Sequence, residues 1–213
     1  MAGNERLGLT AEMAALIRTE KKVDKYSSYF VTPRAKRIYS IVSLFFSKKT
    51  IQKIFDKRTK LSDEIHKLVK QYKPEQVIEI ASGSSVFGLE YSQKHPKVVY
   101  LETDMNDVIR KKKNILEHIL QSENLNINSN HILISVDVLS EDIYKSLEKY
   151  LRKGKRTIVI AEGLTSYFDE EQYQIFNDNL NKLFNKIRGG SYLSHEALNE
   201  KITSGFGGKI LRG

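Results

Sequence analysis

The chain has 213 residues, 40% of them hydrophobic and 29% charged, which fits one compact globular protein and excludes collagen-like and wholly disordered chains. It contains no Cys, which excludes disulfides, thiol nucleophiles and Cys-ligated metals. It also lacks a membrane-length apolar run and a signal-peptide pattern, so we expect a cytoplasmic protein without a membrane partner. Its 35 Lys and Arg against 26 Asp and Glu give a net charge of +9, which makes anionic ligands worth testing.

Three helices are predicted in the N-terminal third of the chain. The first follows Thr10 (AEMAALIRTEKK), the second begins at Pro33, and the third runs from about Thr50 to Tyr72 and ends just before a proline. Each carries apolar residues at helical spacing and therefore needs a larger body to pack on. We predict that residues 1–74 form a helical lid on a core formed by residues 75–213.

From Gln76 onwards, short β-branched runs alternate with helical patterns. Strands separated by helices run parallel, so the alternation predicts a Rossmann-like, doubly wound, mostly parallel α/β sheet whose ligands bind at the carboxyl ends of the strands. The predicted strands are Gln76 to Ala81, Lys97 to Asp104, His131 to Val138, Arg156 to Leu164 and Gly189 to Leu198. The predicted helices are Val86 to Lys94, Met105 to Glu123, Glu141 to Lys153 and Glu170 to Ile187.

The first strand leads into a loop of small residues, ASGSSVFG, from Ala81 to Gly88. Such a loop lets backbone N–H groups and a helix N-terminus approach a nucleotide-type cofactor. The spacing is neither that of the dinucleotide fingerprint nor that of a phosphate-binding lysine loop. Small residues here are equally expected where a helix packs closely on a strand, so both interpretations stay open.

Acidic residues stand at the ends of the next three predicted strands. Glu102 and Asp104 lie about twenty residues after the loop, where a carboxylate accepts ribose hydroxyl hydrogens and disfavours a 2′-phosphate. Asp104 can instead cap the following helix. Asp137 is placed to accept a hydrogen bond from an adenine amino group, and Glu162 ends a strand that should be buried, where a carboxylate needs a partner.

Taken together, these segments resemble the leucine carboxyl methyltransferase group, which includes polyketide O-methyltransferase-type enzymes. The similarity spans about Lys57 to Leu198, and its most specific element is AEGLTSYFDEEQ, from Ala161 to Gln172. RTKLSDEI, which begins at Arg58, is similar to the family's R-T-x-x-x-D segment. The resemblance implies a class I methyltransferase whose cofactor is S-adenosylmethionine and whose product is S-adenosylhomocysteine.

The resemblance also implies roles for individual side chains. Arg58 would bind the methionine carboxylate, since its planar fork suits a carboxylate, although an exposed helix arginine is the alternative. The remaining implied cofactor residues are Ala81 and Gly83 at the central portion, Asp104 and Glu102 at the ribose, Asp137 at the adenine and Glu162 near the methionine amino group. The loop departs from the family's G-A-G-x-D-T-R, because no Asp-Thr-Arg follows Ser85, and this weakens any inference about the substrate.

Methyl transfer is an in-line displacement in which alignment matters most. A carboxylate acceptor needs no general base, whereas a hydroxyl acceptor does. Tyr167 and Tyr29 are the candidate catalytic residues at the site, with Tyr26 and Arg37 beside them on the lid, and His195 is a candidate base. The five histidines show no spacing that indicates a metal site.

The function predicted is methyl transfer to a carboxyl or hydroxyl of a small molecule or of a protein C-terminus. The alternative is a non-catalytic module that binds nucleic acid or protein, which the basic runs Arg34 to Lys60 and Arg110 to Lys113 would serve, although solvated helix faces give the same pattern. The resemblance implies a C-terminal strand hairpin, for which the segment after the predicted fifth strand is too short, so we expect either truncation or a fifth-strand edge that another subunit covers.

Overall fold

A computed structural model describes the backbone of residues 2–45, 48–126, 128–140 and 142–194. Side chains are described for residues 11–45 and 59–194, apart from residues 127 and 141. The end of the predicted fifth strand and His195 lie outside these residues, as does the Arg58 side chain.

Five parallel strands form one sheet in the order β3-β2-β1-β4-β5. From β1 the chain adds β2 and β3 on one side and then returns to add β4 and β5 on the other side. The point between β1 and β4 is where doubly wound sheets open a crevice for ligands. This confirms the predicted α/β architecture. The strands are β1 (Gln76–Ile80), β2 (Val99–Asp104), β3 (His131–Ser135), β4 (Thr157–Ala161) and β5 (Ser191–Ser194).

Seven α-helices occur in the described residues, and most match the predicted segments. They are α1 (Ala2–Glu20), α2 (Pro33–Phe45), α3 (Lys48–Tyr72), α4 (Phe87–Lys94), α5 (Asn106–Ser122), α6 (Ile143–Leu147) and α7 (Glu170–Ile187). Single 3₁₀ turns occupy Ser27–Phe30 and Thr165–Tyr167. None of the helices described is both long and apolar enough to cross a membrane.

Several predicted elements are shorter than expected, and local hydrogen bonds explain the ends of one helix and one strand. The helix predicted over Glu141 to Lys153 ends at Leu147, because the chain tightens into turns in which each amide bonds the carbonyl three residues back, Tyr150 to Leu147 at 2.9 Å and Leu151 to Glu148 at 3.3 Å. Strand β3 stops at Ser135 because the Asp137 carboxylate accepts the Leu139 amide in a local turn.

Each face of the sheet has its own apolar core. Ile78, Leu101 and Val159 pack with α6 and α7 on one face, whereas Val77, Ile158 and Ile160 pack with α3 and α4 on the other. A third cluster joins α1 and the first 3₁₀ turn to α4 and α5. Its buried members are Ala15, Tyr26, Phe30, Val86, Leu89, Leu116 and Ile119. The N-terminal segment therefore shares a core with the helices that follow β1 and β2.

Gly88 allows α4 to lie directly against β2. A Cβ added at this position would stand 2.8 Å from Tyr100 Cε1 and would overlap the Glu102 carboxylate. Both neighbours are fully buried, so neither can move aside cheaply. The glycine at the end of ASGSSVFG therefore serves helix-to-strand packing, one of the two interpretations that the sequence left open.

We expect Gly88→Ala to lower the free energy of unfolding by about 1–3 kcal/mol, the usual cost of overpacking. A fall in stability would be informative, because replacing Gly by Ala inside a helix ordinarily stabilises the helix by about 1 kcal/mol. Urea denaturation measures the effect. Lys94→Ala, at an exposed position of the same helix, is the matched control and should change stability by no more than about 0.5 kcal/mol. A stabilised Gly88→Ala protein would contradict the packing described.

Candidate functional site

The loop after β1 has a backbone conformation that L-residues rarely adopt. Ala81 has φ +53° and Gly83 has φ +47°, so two residues of a three-residue turn lie in the left-handed region, one of them without the freedom of glycine. The Ser82 amide between them donates to the Thr103 carbonyl at 3.0 Å. Strain of this kind persists only where surrounding contacts impose it, and it is typical of ligand-binding turns.

Asp104, at the end of β2, is bonded directly to this loop. Its Oδ2 accepts the Gly83 amide at 2.8 Å and its Oδ1 accepts the Met105 amide at 2.7 Å. Burial raises the pKa of the Asp104 carboxyl, although the two amides oppose the shift. Helix α5 begins at Asn106, and the two amides that Asp104 accepts both lie outside this helix, so the capping alternative for Asp104 is not observed. The structure brings Gly83 and Asp104 together at one point of the sheet edge.

Glu102 does not join Asp104 at the carboxyl end of the sheet, and the predicted ribose contact of Glu102 is therefore wrong. Its side chain is fully buried beneath α4 and α5, where it forms an ion pair with Lys112 and accepts from His131 Nε2 at 2.7 Å. Burial alone would raise its pKa, but the positive charge of Lys112 and the bond from His131 outweigh burial and lower the pKa of Glu102 to about 2. A carboxylate held in this way is not available to a ribose.

Five side chains form a buried polar cluster on the α4 and α5 face of the sheet: Glu79, Tyr100, Glu102, Lys112 and His131. Tyr100 donates its hydroxyl hydrogen to Glu79 Oε2 at 2.7 Å. Burial and the adjacent Glu102 charge raise the pKa of Glu79, and burial raises the pKa of Tyr100 well above its ordinary value. Of the two neighbouring carboxyls, Glu102 has the lowered pKa and Glu79 has the raised one.

The raised pKa of Glu79 predicts a pH dependence of stability. A carboxyl whose pKa is higher in the folded state contributes stability below its unfolded pKa and loses it as pH rises through the folded pKa. Glu79→Gln keeps the acceptor for Tyr100 and removes the ionisation. The unfolding free energies of variant and wild type should therefore agree near pH 4, and the variant should become the more stable protein by pH 8.

Glu75 provides a control of opposite sign. Its carboxyl is at the surface and Lys155 lowers its pKa, so its stabilisation is present above the unfolded pKa and lost as pH falls through the folded pKa. Glu75→Gln should make the protein slightly less stable than wild type at pH 8 and equal to it in acid. A difference for Glu79→Gln that does not vary between pH 4 and pH 8 would contradict the assignment of Glu79.

Glu162 follows β4 and pairs with a residue that the sequence prediction missed. His66 on α3 places Nε2 3.1 Å from Glu162 Oε1, and its ring stacks on Phe87 at 3.7 Å with an interplanar angle of 2°. The helical spacing of the sequence could have identified this position. Ser62, Ile65, His66 and Val69 recur at i, i+3, i+4 and i+7, and all four are buried in the structure. A histidine on that face indicates a partner across the packing interface.

His66 and Phe87 also line a cavity of about 300 Å³ between α3, α4 and the end of α1. It is lined by Lys67, Lys70 and Arg18 together with Asp24, Asp63 and Glu90. Arg18 is occupied by Asp24 at 2.8 Å, and Asp24 also accepts the Ser27 amide. The charges lining the cavity balance, so it shows no preference for an anion or a cation.

The remaining predicted residues are dispersed. Asp137 is exposed beside the end of β3, and Tyr167 is 45% exposed in the turn after β4. Tyr29 is placed wrongly by the sequence prediction, since its hydroxyl donates to Glu123 at 3.3 Å and its ring contacts His118, at the far end of α5 from the β2 edge. Among the described side chains, no group of three or more His, Asp or Glu could hold a metal ion.

A doubly wound parallel sheet with a tight loop after β1 and a half-buried carboxylate at the end of β2 defines the nucleotide-cofactor class of α/β proteins. Within that class, the chain belongs to the leucine carboxyl methyltransferase family, whose model matches residues 15–184. This confirms the family predicted from the motifs. The family is one of S-adenosylmethionine-dependent enzymes, and membership implies S-adenosylmethionine as the cofactor.

Solved structures to which the chain is similar include the methyltransferase domain of bacterial CtHen1, at 16% identity, 63% coverage of each chain and a TM-score of 0.45. An O-methyltransferase family protein from Burkholderia thailandensis has 11% identity, 75% coverage of this chain and 46% of that one, and a TM-score of 0.43. PKMT2 from Rickettsia typhi in complex with AdoHcy has 20% identity, 53% coverage of this chain and 19% of that one, and a TM-score of 0.39. The chain thus spans less than two thirds of these relatives' lengths. No curated protein sequence matches it.

Proposed function

We propose that the chain is an S-adenosylmethionine-dependent O-methyltransferase that transfers a methyl group to a carboxyl or hydroxyl of a small molecule or of a protein C-terminus. The observation that carries the proposal is the bond between the Gly83 amide and Asp104, in a chain that belongs to a methyltransferase family. It joins the strained cofactor-type loop to Asp104, a half-buried acid placed to accept ribose hydroxyls.

The donor set fits this cofactor. Carboxylates follow three strands of the sheet, Asp104 after β2, Asp137 after β3 and Glu162 after β4, and each is an acceptor for a different hydrogen-bearing group of an adenosyl amino acid. When bound, the cofactor supplies a methyl group activated on a sulfonium. Asp104 would hold the ribose, Ala81 and Gly83 the central portion, Asp137 the adenine and Glu162 the methionine amino group.

His66 would orient Glu162 in this arrangement. Nε2–H donates to the carboxylate, and stacking on Phe87 fixes the ring, so the carboxylate oxygen keeps one position. Arg58 belongs to the same helix α3 and would bind the methionine carboxylate, as the family resemblance implies. This role, like the other assignments, is a proposal.

Residues 1–74 would act as a lid over the loop. Ser84 donates its hydroxyl hydrogen to the Ala11 carbonyl at 2.8 Å, and the Ala11 Cβ lies 3.4 Å from the position that a Gly83 side chain would occupy. Helix α1 thus covers the turn from above. A lid in this position would exclude water from the methyl group, which favours displacement by the acceptor over hydrolysis.

The acceptor would approach from the side of Tyr167, whose exposed ring follows the Glu162–Gly163 turn. A carboxylate acceptor would need only alignment there, whereas a hydroxyl acceptor would also need a base. We also propose that the protein is cytoplasmic and that a second subunit lies along the β5 edge of the sheet.

The nucleic-acid alternative is disfavoured by the second basic run. Lys112 is buried in an ion pair, and Arg110 is paired with Asp107 at 3.0 Å. Only Lys111 and Lys113 of that run are therefore free surface charges in the described side chains. Such a pair is typical of a solvated helix face.

Titration calorimetry with S-adenosylmethionine and S-adenosylhomocysteine tests the proposal. We expect wild type to bind both ligands and Asp104→Asn to bind them about ten- to a hundredfold more weakly. The asparagine side chain has one acceptor oxygen where the carboxylate has two, so it cannot accept from both the Gly83 N–H and the ribose hydroxyls as Asp104 does. Asp107→Asn, at an exposed position three residues on, is the matched control and should leave affinity unchanged.

Each failure has a separate meaning. A wild-type protein that binds neither ligand would refute the proposed function. A wild-type protein that binds both ligands, with equal affinity in Asp104→Asn, would refute only the ribose role. Repeating the titration with single-stranded DNA at two salt concentrations tests the alternative, since phosphate contacts weaken steeply as salt rises.

A further inference from the structure

The turn formed by Ala81, Ser82 and Gly83 has contacts on both sides of its strained backbone. On the side of the strand edge, Asp104 accepts the Gly83 amide. On the side of the buried polar cluster, the Ser82 hydroxyl and carbonyl meet Lys112. Neither the loop sequence nor the family motif suggests this second contact, because Lys112 lies thirty residues away in the chain.

Lys112 belongs to α5 and differs from the lysines on either side of it. Its side chain is 1% exposed, while Lys111 and Lys113 are exposed. Its Nζ lies 3.1 Å from Ser82 Oγ and 3.5 Å from the Ser82 carbonyl oxygen, and it forms an ion pair with Glu102. An ammonium group has three hydrogens, and these three oxygens account for all of them.

A buried ammonium is costly unless its partners are fixed. Glu102 supplies the opposite charge and is itself held by His131 at 2.7 Å. The position of Nζ is therefore set by Glu102 on β2 and His131 on β3. Nζ in turn fixes the position of Ser82. Because Ser82 lies between the two left-handed residues, fixing its side chain and carbonyl restricts the rotation of both neighbours.

We propose that Lys112 is a positioning residue for cofactor binding: its ammonium, locked by Glu102, holds Ser82 so that the turn from Ala81 to Gly83 is preformed for the ligand. This inference rests on the proposed function. Lys112 acts through Ser82 and does not itself contact the ligand. Its effect is expected as a loss of affinity, because without it the ordering of the turn must accompany binding.

The test separates positioning from stability by comparing a single and a double variant. Lys112→Met leaves the Glu102 carboxylate buried without its main counter-charge, so its urea midpoint should fall strongly. Glu102→Gln combined with Lys112→Met removes both charges and should recover most of the midpoint. Lys113→Met is the matched control and should behave as wild type in every measurement.

Affinity for S-adenosylhomocysteine should remain at least tenfold weaker in the double variant, since Ser82 still lacks its donor. If affinity recovers together with the midpoint, Lys112 serves stability alone and the proposal is overturned. If the double variant does not unfold cooperatively, Ser82→Ala replaces it. Ser82→Ala keeps the ion pair and should still weaken binding severalfold, and an unchanged affinity would overturn the proposal.

Amide hydrogen exchange of residues 81–85 without ligand gives a readout that does not depend on the proposed function. The Ser82 and Gly83 amides should exchange faster in the double variant than in wild type and in Lys113→Met. Equal exchange would overturn the proposal even if wild type binds no S-adenosylhomocysteine, an outcome that would separately refute the proposed function.

Discussion

The ion pair between Glu102 and Lys112 is the interaction on which the rest of this structure depends. It joins β2 to α5, it requires glycine at position 88 so that α4 can pass over it, and through Ser82 it reaches the turn after β1. It also affects the titration of its neighbours, because the negative charge of Glu102 adds to burial in raising the pKa of Glu79. A buried pair is weak evidence for stability by itself, since the cost of desolvation offsets much of the attraction. Its value here is geometric, because it fixes the relative positions of three elements that meet at the proposed site.

The proposed cofactor site thus has two supports of different character. Asp104 stands at the strand edge, where a carboxylate can contact a ligand, and it holds Gly83 from that side. Glu102, two residues earlier on the same face of β2, points into the helix layer and holds the same turn through Lys112. The alternation of side chains would place both on one face, and the end of the strand separates them into an edge role and a buried role. His66 supports Glu162 in a comparable way from α3.

Charge and hydropathy in a sequence do not show which residues a side chain pairs with after folding. Lys112 lies in a run of basic residues that indicates a surface, yet it is buried because Glu102 is buried opposite it. Tyr29 carries a hydroxyl in the predicted lid, yet the path of the chain after α1 takes it to the far end of α5. Periodicity identifies which face of a helix is covered but not which residue covers it.

The sequence by itself determined the fold class, the order of the strands and helices, the family and the acidic residues at the strand ends. These features follow from local periodicity, from turn residues and from motifs of a few consecutive positions, all of which are present in the chain before it folds. Tertiary structure decided which of the two acids of β2 reaches the edge, which lysine is buried, and that His66 meets Glu162. These outcomes depend on contacts between residues that are 10 positions apart for Glu102 and Lys112 and 96 apart for His66 and Glu162, and only the packing of helices on the sheet brings such residues together.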